Sequence, residues 1–146
     1  MTRHWRASLA AMIVAAGVSP SGTGATANYD VDNLPPTDRL AAASLELVVS
    51  AWLFESTCKL PSAEDDYALA MRYIRSPDFK RRDPRLSKVI GNVTGPAAKA
   101  TTDHSACVSE REVVERGADH GRFFLNYFLT HSIEQNQEWD RRGAKN

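Results

Sequence analysis

The segment that most constrains the fold is residues 39–58, RLAAASLELVVSAWLFESTC, which is apolar on most of the circumference of a helix. Its apolar residues recur at helical spacing, without the period-two alternation that is typical of a strand. A helix that is apolar on nearly all sides must be surrounded by other helices to remove its side chains from water. The segment therefore predicts a helical bundle with this helix at its centre, capped at its start by Thr37 or Asp38.

Further helices are predicted in the rest of the chain, separated by breaks at Pro61, at Pro77 and at residues 91–96, which contain two glycines and a proline. Capping-box patterns at residues 62–65 and 109–112 mark two helix starts, and the second predicts one uninterrupted helix as far as about Trp139. The other predicted helices cover residues 63–75, 83–92 and, more weakly, 96–108. We therefore expect an all-α fold, a small bundle of four to five helices over residues 37–146, after an irregular lead-in at residues 28–36.

Close packing is predicted where Gly117 and Gly121 lie four residues apart on the final helix. In a membrane protein this GxxxG spacing brings two helices together. In a helical bundle it indicates a place where the backbone of a neighbouring helix comes close.

The first 27 residues have the layout of a secretory signal peptide. Arg3 and Arg6 precede an uncharged run over residues 7–18, and a small-residue cleavage site follows at residues 25–27. The run is shorter than the roughly 20 residues that a transmembrane helix needs. We expect cleavage after Ala27 and a periplasmic or secreted protein; the alternative is an amphipathic N-terminal helix that is retained.

Charge and composition exclude several classes of function. The chain carries 18 basic and 18 acidic residues, and loss of the leader would leave 119 residues with 16 basic against 18 acidic. Such a balance argues against a general binder of nucleic acid or membrane surfaces. The most apolar later stretch, residues 40–54, contains Glu46, so no transmembrane span is expected after the leader, and no cofactor is predicted.

Two cysteines, Cys58 and Cys107, are the only ones in the chain. An even count in an exported protein favours a disulfide over a metal site, and there is no CxxC motif to suggest redox chemistry. We expect a structural disulfide that joins the end of the first helix to the start of the last. Free thiols are the alternative if the protein is not exported.

A basic stretch at residues 72–88 carries seven basic residues against Asp78 and Asp83. It predicts a surface for an anionic partner, either an acidic protein or a cell-envelope surface. The candidate residues, expected to point to solvent together, are Arg81, Arg82, Arg85 and Lys88. The alternative is a solvated loop whose charges favour the adjoining helix ends.

Two histidines, His120 and His131, lie three helical turns apart and share a face with Phe124 and Tyr127. Histidine changes charge between pH 5 and 8, so the pair is a candidate pH-responsive surface. Their separation of about 16 Å along a helix is too large for a shared metal ion, and no metal site is predicted. Ordinary, partly exposed histidines are the alternative.

No catalytic residues are assigned, because the chain lacks the GxSxG, HExxH, P-loop and SxxK motifs. The leading interpretation is a small exported helical protein that binds another macromolecule, of inhibitor, immunity or stress-protection type. The chain is similar to periplasmic acid-stress chaperones and to immunity proteins only in size, export and cysteine count. The alternative is a small secreted hydrolase with a dispersed active site. A buried polar pocket around His104 or His120 would favour the hydrolase, and an exposed apolar or charged patch would favour the binding protein.

Overall fold

The computed structural model describes residues 33–91 and 95–145, and in these residues the fold is all-α, as predicted. The predicted leader, residues 1–27, and the lead-in as far as residue 32 lie outside the described residues. Five of the seven described α-helices have seven residues or more. The elements are α1 (Pro36–Thr57), α2 (Ala63–Ile74), α3 (Pro77–Arg81), a 3-10 helix (Pro84–Gly91), α4 (Pro96–Thr102), α5 (Ala106–Ser109), α6 (Arg111–Thr130) and α7 (Ile133–Gly143).

Helix α1 lies at the centre of the bundle, as its apolar circumference predicts. The helices α2, α4, α6 and α7 and the 3-10 helix all pack against it, with α6 making the most extensive contact. Leu45, Val48 and Phe54 are among its fully buried side chains. Its start differs from the prediction: Pro36 occupies the first turn, where a proline is favoured, and no side chain caps the helix.

By length and composition α1 could cross a membrane, which corrects the expectation that no segment after the leader would qualify. Of its most apolar stretch, 56% is buried inside the bundle. A central helix needs the same composition as a membrane span, because other helices surround it on most sides.

The close approach predicted at the glycines is present between α1 and α6. A Cβ atom on Gly121 would lie 2.6 Å from the Ser44 carbonyl oxygen, and one on Gly117 would lie 3.0 Å from Leu47 Cδ2. The first contact is with backbone, which cannot rotate away. The second is with the end of a side chain, which can.

We expect Gly121→Ala to lower the free energy of unfolding by about 1–3 kcal/mol, because the added methyl must push α1 and α6 apart. Chemical denaturation would measure the change. The matched control is Gly143→Ala in α7, where an added Cβ meets nothing within 4 Å. Equal destabilisation by the two substitutions would contradict the close packing.

The predicted disulfide between Cys58 and Cys107 is confirmed, with the two Cα atoms 5.5 Å apart. It joins the C-cap residue of α1 to the short helix α5, one element before α6. A second, smaller core surrounds it, formed by Phe54 with three alanines of α4 and α5. A disulfide is consistent with an oxidising compartment.

Three further expectations about helix ends are wrong. Ser62 and Ser109 make no capping hydrogen bond, because the backbone at Ser62 is already helical and Ser109 ends α5. The predicted final helix is interrupted after Thr130. A complete capping box at residues 132–135 starts α7 instead: the Ser132 hydroxyl accepts from the Gln135 N–H, and the Gln135 side chain accepts from the Ser132 N–H.

Candidate functional site

A buried ion-pair network joins α1, α3 and α7 around Arg82, whose side chain is 0% exposed. Its guanidinium donates to Asp78 Oδ2 at 2.8 Å and to the Thr37 carbonyl oxygen at 2.7 Å. The Arg82 Nη1 atom, which donates to Thr37, also lies 3.3 Å from a carboxylate oxygen of Asp38 and 3.5 Å from one of Asp140. One arginine therefore holds three carboxylates from distant parts of the chain.

Asp78 is the acceptor at the centre of this network. It also accepts from the Tyr73 hydroxyl at 2.8 Å, from Asn136 Nδ2 at 3.0 Å and from Arg81 at 2.7 Å. Burial alone would raise the pKa of Asp78, but the hydrogen bonds and charge of Arg82, with Tyr73 and Arg81, hold that pKa below its ordinary value. The carboxylate stays ionised, and the network is structural.

This network corrects the predicted basic surface. Arg82 does not point to solvent, and Arg81 pairs with Asp78 and Asp140, because three carboxylates converge on this pair of guanidinium groups. Arg85 is exposed and pairs with Asp83 through two hydrogen bonds, of 3.0 and 2.9 Å, which lower the pKa of Asp83 to about 2. Lys88 is exposed. Of the four candidate residues, two remain on the surface.

A second buried charged cluster, which the motif search missed, joins α1, α2 and α6. Arg122 of α6 donates to both oxygens of Asp66, at 2.6 and 2.7 Å, and lies 3.3 Å from Glu55 Oε1. Glu55 and Asp66 are each 1% exposed. The position of Glu55 could be predicted from helical spacing. Val48, Ala51 and Glu55 follow one another at steps of three and four residues, so they share one face of α1. The sequence therefore places a charge on the core face of this helix.

An aromatic surface covers the side of α6 that faces α7 and continues to solvent. We use this name for His120, Phe123, Phe124, Tyr127, His131 and Trp139. Phe124 lies 5.1 Å from Phe123 and 5.8 Å from Trp139, measured between ring centroids. Phe123 is 65% exposed and Trp139 is 37% exposed. These are the two large rings of the described residues that are most open to solvent.

The two histidines of this surface contact the aromatic residues with which the sequence predicts a shared face. The His120 ring lies 5.2 Å from Phe124, and the His131 ring stacks on Tyr127 at 3.8 Å. The His131 Nδ1–H donates to the Tyr127 carbonyl oxygen at 2.8 Å. Their response to pH stays a prediction. His104, the third histidine considered, is exposed near Cys107.

A groove of about 410 Å³ adjoins the aromatic surface at Trp139. The first two turns of α1 and the later part of α7 line the groove, with Leu40 and Ala43 from α1 and Trp139 from α7. The exposed Arg39 and the buried Asp140, which pairs with Arg81, also line the groove. The surface and the groove together offer aromatic and aliphatic contacts with few unpaired charges.

Among residues 33–91 and 95–145, no group of three or more His, Cys, Asp or Glu side chains is arranged to hold a metal ion. Comparison of the chain with protein-family models, with curated proteins and with solved structures finds no match.

Proposed function

We propose that the protein binds another protein, taking an apolar segment of that partner across the aromatic surface and into the adjoining groove. The exposure of Phe123 beside Phe124 and Trp139 supports this most directly. Keeping such rings in water is unfavourable. The rings also continue at Trp139 into a groove that Leu40 and Ala43 help to line, which gives a partner an apolar recess to occupy. Tryptophan and tyrosine are also enriched among the residues that carry most of the binding energy in protein interfaces.

The size of the patch favours a short segment over a permanent second copy. The exposed parts of Phe123 and Trp139 amount to roughly 200 Å², since an aromatic side chain offers about 150–250 Å² in total. A stable interface buries about 800 Å² on each partner. A partner strand or helix turn that inserts one apolar side chain beside Trp139 fits this area better than a dimer.

The charges around the patch support apolar recognition. On the two helices that carry the rings, Arg116 pairs with Glu112 and Arg142 pairs with Glu138, so each of these exposed charges has an opposite partner. A partner is therefore selected by its apolar side chains, with little contribution from net charge. This mode of binding suits an exported inhibitor, immunity or stress-protection protein.

An anionic partner remains a separate proposal, now reduced to the exposed Arg85 and Lys88. Binding there would weaken with added salt, because exposed charges are screened within about 8–10 Å at physiological ionic strength. Binding by the aromatic surface would persist, since salt does not screen apolar contacts. No observation favours the hydrolase: His104 and His120 are both exposed.

The test places a photo-crosslinking benzoylphenylalanine at Phe123 in extracts of the source cells. A control carries it at Val108, which is 84% exposed on α5. We expect a product of one defined mass from position 123 only. Titration of the purified partner should then show at least a tenfold loss of affinity for Phe123→Ala, as expected for a central interface residue, and no loss for Val108→Ala.

Salt and charge variants distinguish the outcomes. A tenfold loss with Phe123→Ala that is unchanged at high salt supports the aromatic surface. A loss of affinity with Lys88→Glu, together with an affinity that falls steeply with added salt, would show that the partner binds at the basic residues and would overturn the aromatic surface as the site. A product with twice the mass of the chain would identify a second copy as the occupant and overturn the proposed heterologous partner.

A further inference from the structure

We propose that Glu55 holds one proton beside the Asp66 carboxylate, so that the junction of α1, α2 and α6 is a buried proton-binding site and is more stable in mild acid. The site is separate from the aromatic surface, and the inference does not depend on the proposed binding function.

The first argument is the balance of charge. Two buried carboxylates, Glu55 and Asp66, meet a single guanidinium, that of Arg122. Arg122 also pairs with Asp119, an exposed carboxylate on its own helix. With both buried acids ionised, the junction carries an uncompensated negative charge away from water, which is strongly unfavourable. One added proton removes that charge.

The second argument is the hydrogen bonding of the two acids. Asp66 has both oxygens occupied by Arg122, at 2.6 and 2.7 Å. The contact of Arg122 with Glu55 Oε1 is longer, at 3.3 Å, and Glu55 Oε2 is buried with no hydrogen-bond partner among the described residues. A buried oxygen without a donor costs about 1–3 kcal/mol. A proton on Glu55 turns this oxygen into a donor, with the neighbouring Asp66 carboxylate as its acceptor.

The groups that face Glu55 from each element agree with this assignment. The Ser62 hydroxyl in the turn before α2 and the Arg122 charge on α6 favour the ionised form, while burial and Asp66 on α2 oppose it. The α4 and α5 residues in the core cluster of the neighbouring Phe54 are three alanines and the disulfide-bonded Cys107, and none of them carries a charge. Burial dominates and raises the pKa of Glu55 to about 7.

The direction of the pH effect follows from this raised pKa. An unfolded glutamate has an ordinary pKa of 4.5, so between about pH 5 and 7 the folded protein holds a proton that the unfolded chain has released. The stabilisation is complete below pH 4.5 and is lost as the pH rises through 7. Over this range the unfolding equilibrium constant should rise by up to about tenfold per pH unit, then level off.

The test compares urea unfolding of the full chain at pH 5, 6, 7 and 8 with that of Glu55→Gln, whose amide mimics the protonated acid. We expect the ratio of the two unfolding constants, wild type over variant, to rise about 100-fold from pH 5 to pH 8. Glu64→Gln is the matched control, because Glu64 is an exposed acid in the same turn of α2 as Asp66. Its ratio to wild type should stay constant.

Carboxyl carbon NMR of the folded wild-type protein gives a measurement that needs no variant. One glutamate carboxyl should titrate near neutral pH, and its signal should be absent from Glu55→Gln. Parallel pH profiles for wild type and Glu55→Gln would overturn the proposal. So would a wild-type spectrum in which every glutamate and aspartate carboxyl has already ionised by pH 5.

Discussion

Replacing Arg82 by methionine should lower the free energy of unfolding by about 3–5 kcal/mol, because it leaves Asp38 without a counterion and leaves Asp78 and Asp140 with Arg81 alone. Methionine fills much of the same space against Phe128, so the loss reports the charge and hydrogen bonds more than the packing. The guanidinium lies 4.6 Å from the centre of that ring. Chemical denaturation at pH 7 measures the effect.

Arg85→Met is the matched control, since Arg85 is exposed and its partner Asp83 lies two residues away. An exposed pair contributes at most about 1 kcal/mol. The penalty of Arg82→Met should also shrink in acid. The lowered pKa of Asp78 stabilises the wild type fully above the ordinary value of 3.8, and this contribution is lost as the pH falls below it. A penalty that is equally large at pH 3 would contradict the ionic explanation.

Replacing Cys58 by serine should lower the free energy of unfolding by about 2–5 kcal/mol, because the unfolded chain gains the freedom of an open loop. The loop closed by the disulfide spans a sequence separation of 49 residues. Thermal or chemical unfolding of the variant under non-reducing conditions gives the value.

Two comparisons isolate the bond itself. Wild-type protein treated with a reductant should match Cys58→Ser, and the double variant Cys58→Ser with Cys107→Ser should lose no more than the single one. Intact wild-type protein should show no free thiol. A reduced wild type that stays as stable as the oxidised form would mean that the disulfide is not a source of stability.

The helical content and the disulfide could be predicted because each depends on a strong local signal. The apolar circumference of α1 requires a bundle, and Cys58 and Cys107 are the only possible pair. The close approach at Gly121 was also predictable, since GxxxG spacing is a property of one helix. In each of these cases the sequence pattern itself requires a partner: surrounding helices for α1, the other cysteine for the disulfide, and a close backbone for the glycines.

Helix boundaries were less predictable because capping patterns compete. Ser109 and Ser132 both precede a Glu or Gln at the third following position. Only Ser132 adopts the extended backbone that lets its hydroxyl reach the N–H of Gln135. The apolar run over residues 123–129 gives no sign that the helix ends shortly afterwards, so the sequence favours one long helix where there are two.

The burial of Arg82 could not be read from the basic stretch. Its neighbours at positions 81, 85 and 88 give it the setting of a surface residue, whereas Asp38 and Asp140 lie 44 and 58 residues away. The pairing of Glu55 with Arg122, in contrast, could be predicted, because both residues lie on the core face of their helices. Opposite charges at core positions of two helices predict a buried pair, and that signal was available.

The helix that begins after the turn at Ser132, α7, supplies contacts on which the completed bundle depends. Helices α1, α2 and α6 supply most of the apolar core. Asn136 can donate to Asp78, and Asp140 can accept from Arg82, only after α7 has formed. Until residue 140 has been synthesised, the guanidinium of Arg82 lacks one of its carboxylates and Asp78 lacks an amide donor. These contacts therefore join the middle of the sequence to its later part, and they can form only when α1, α2 and α6 are already available to pack.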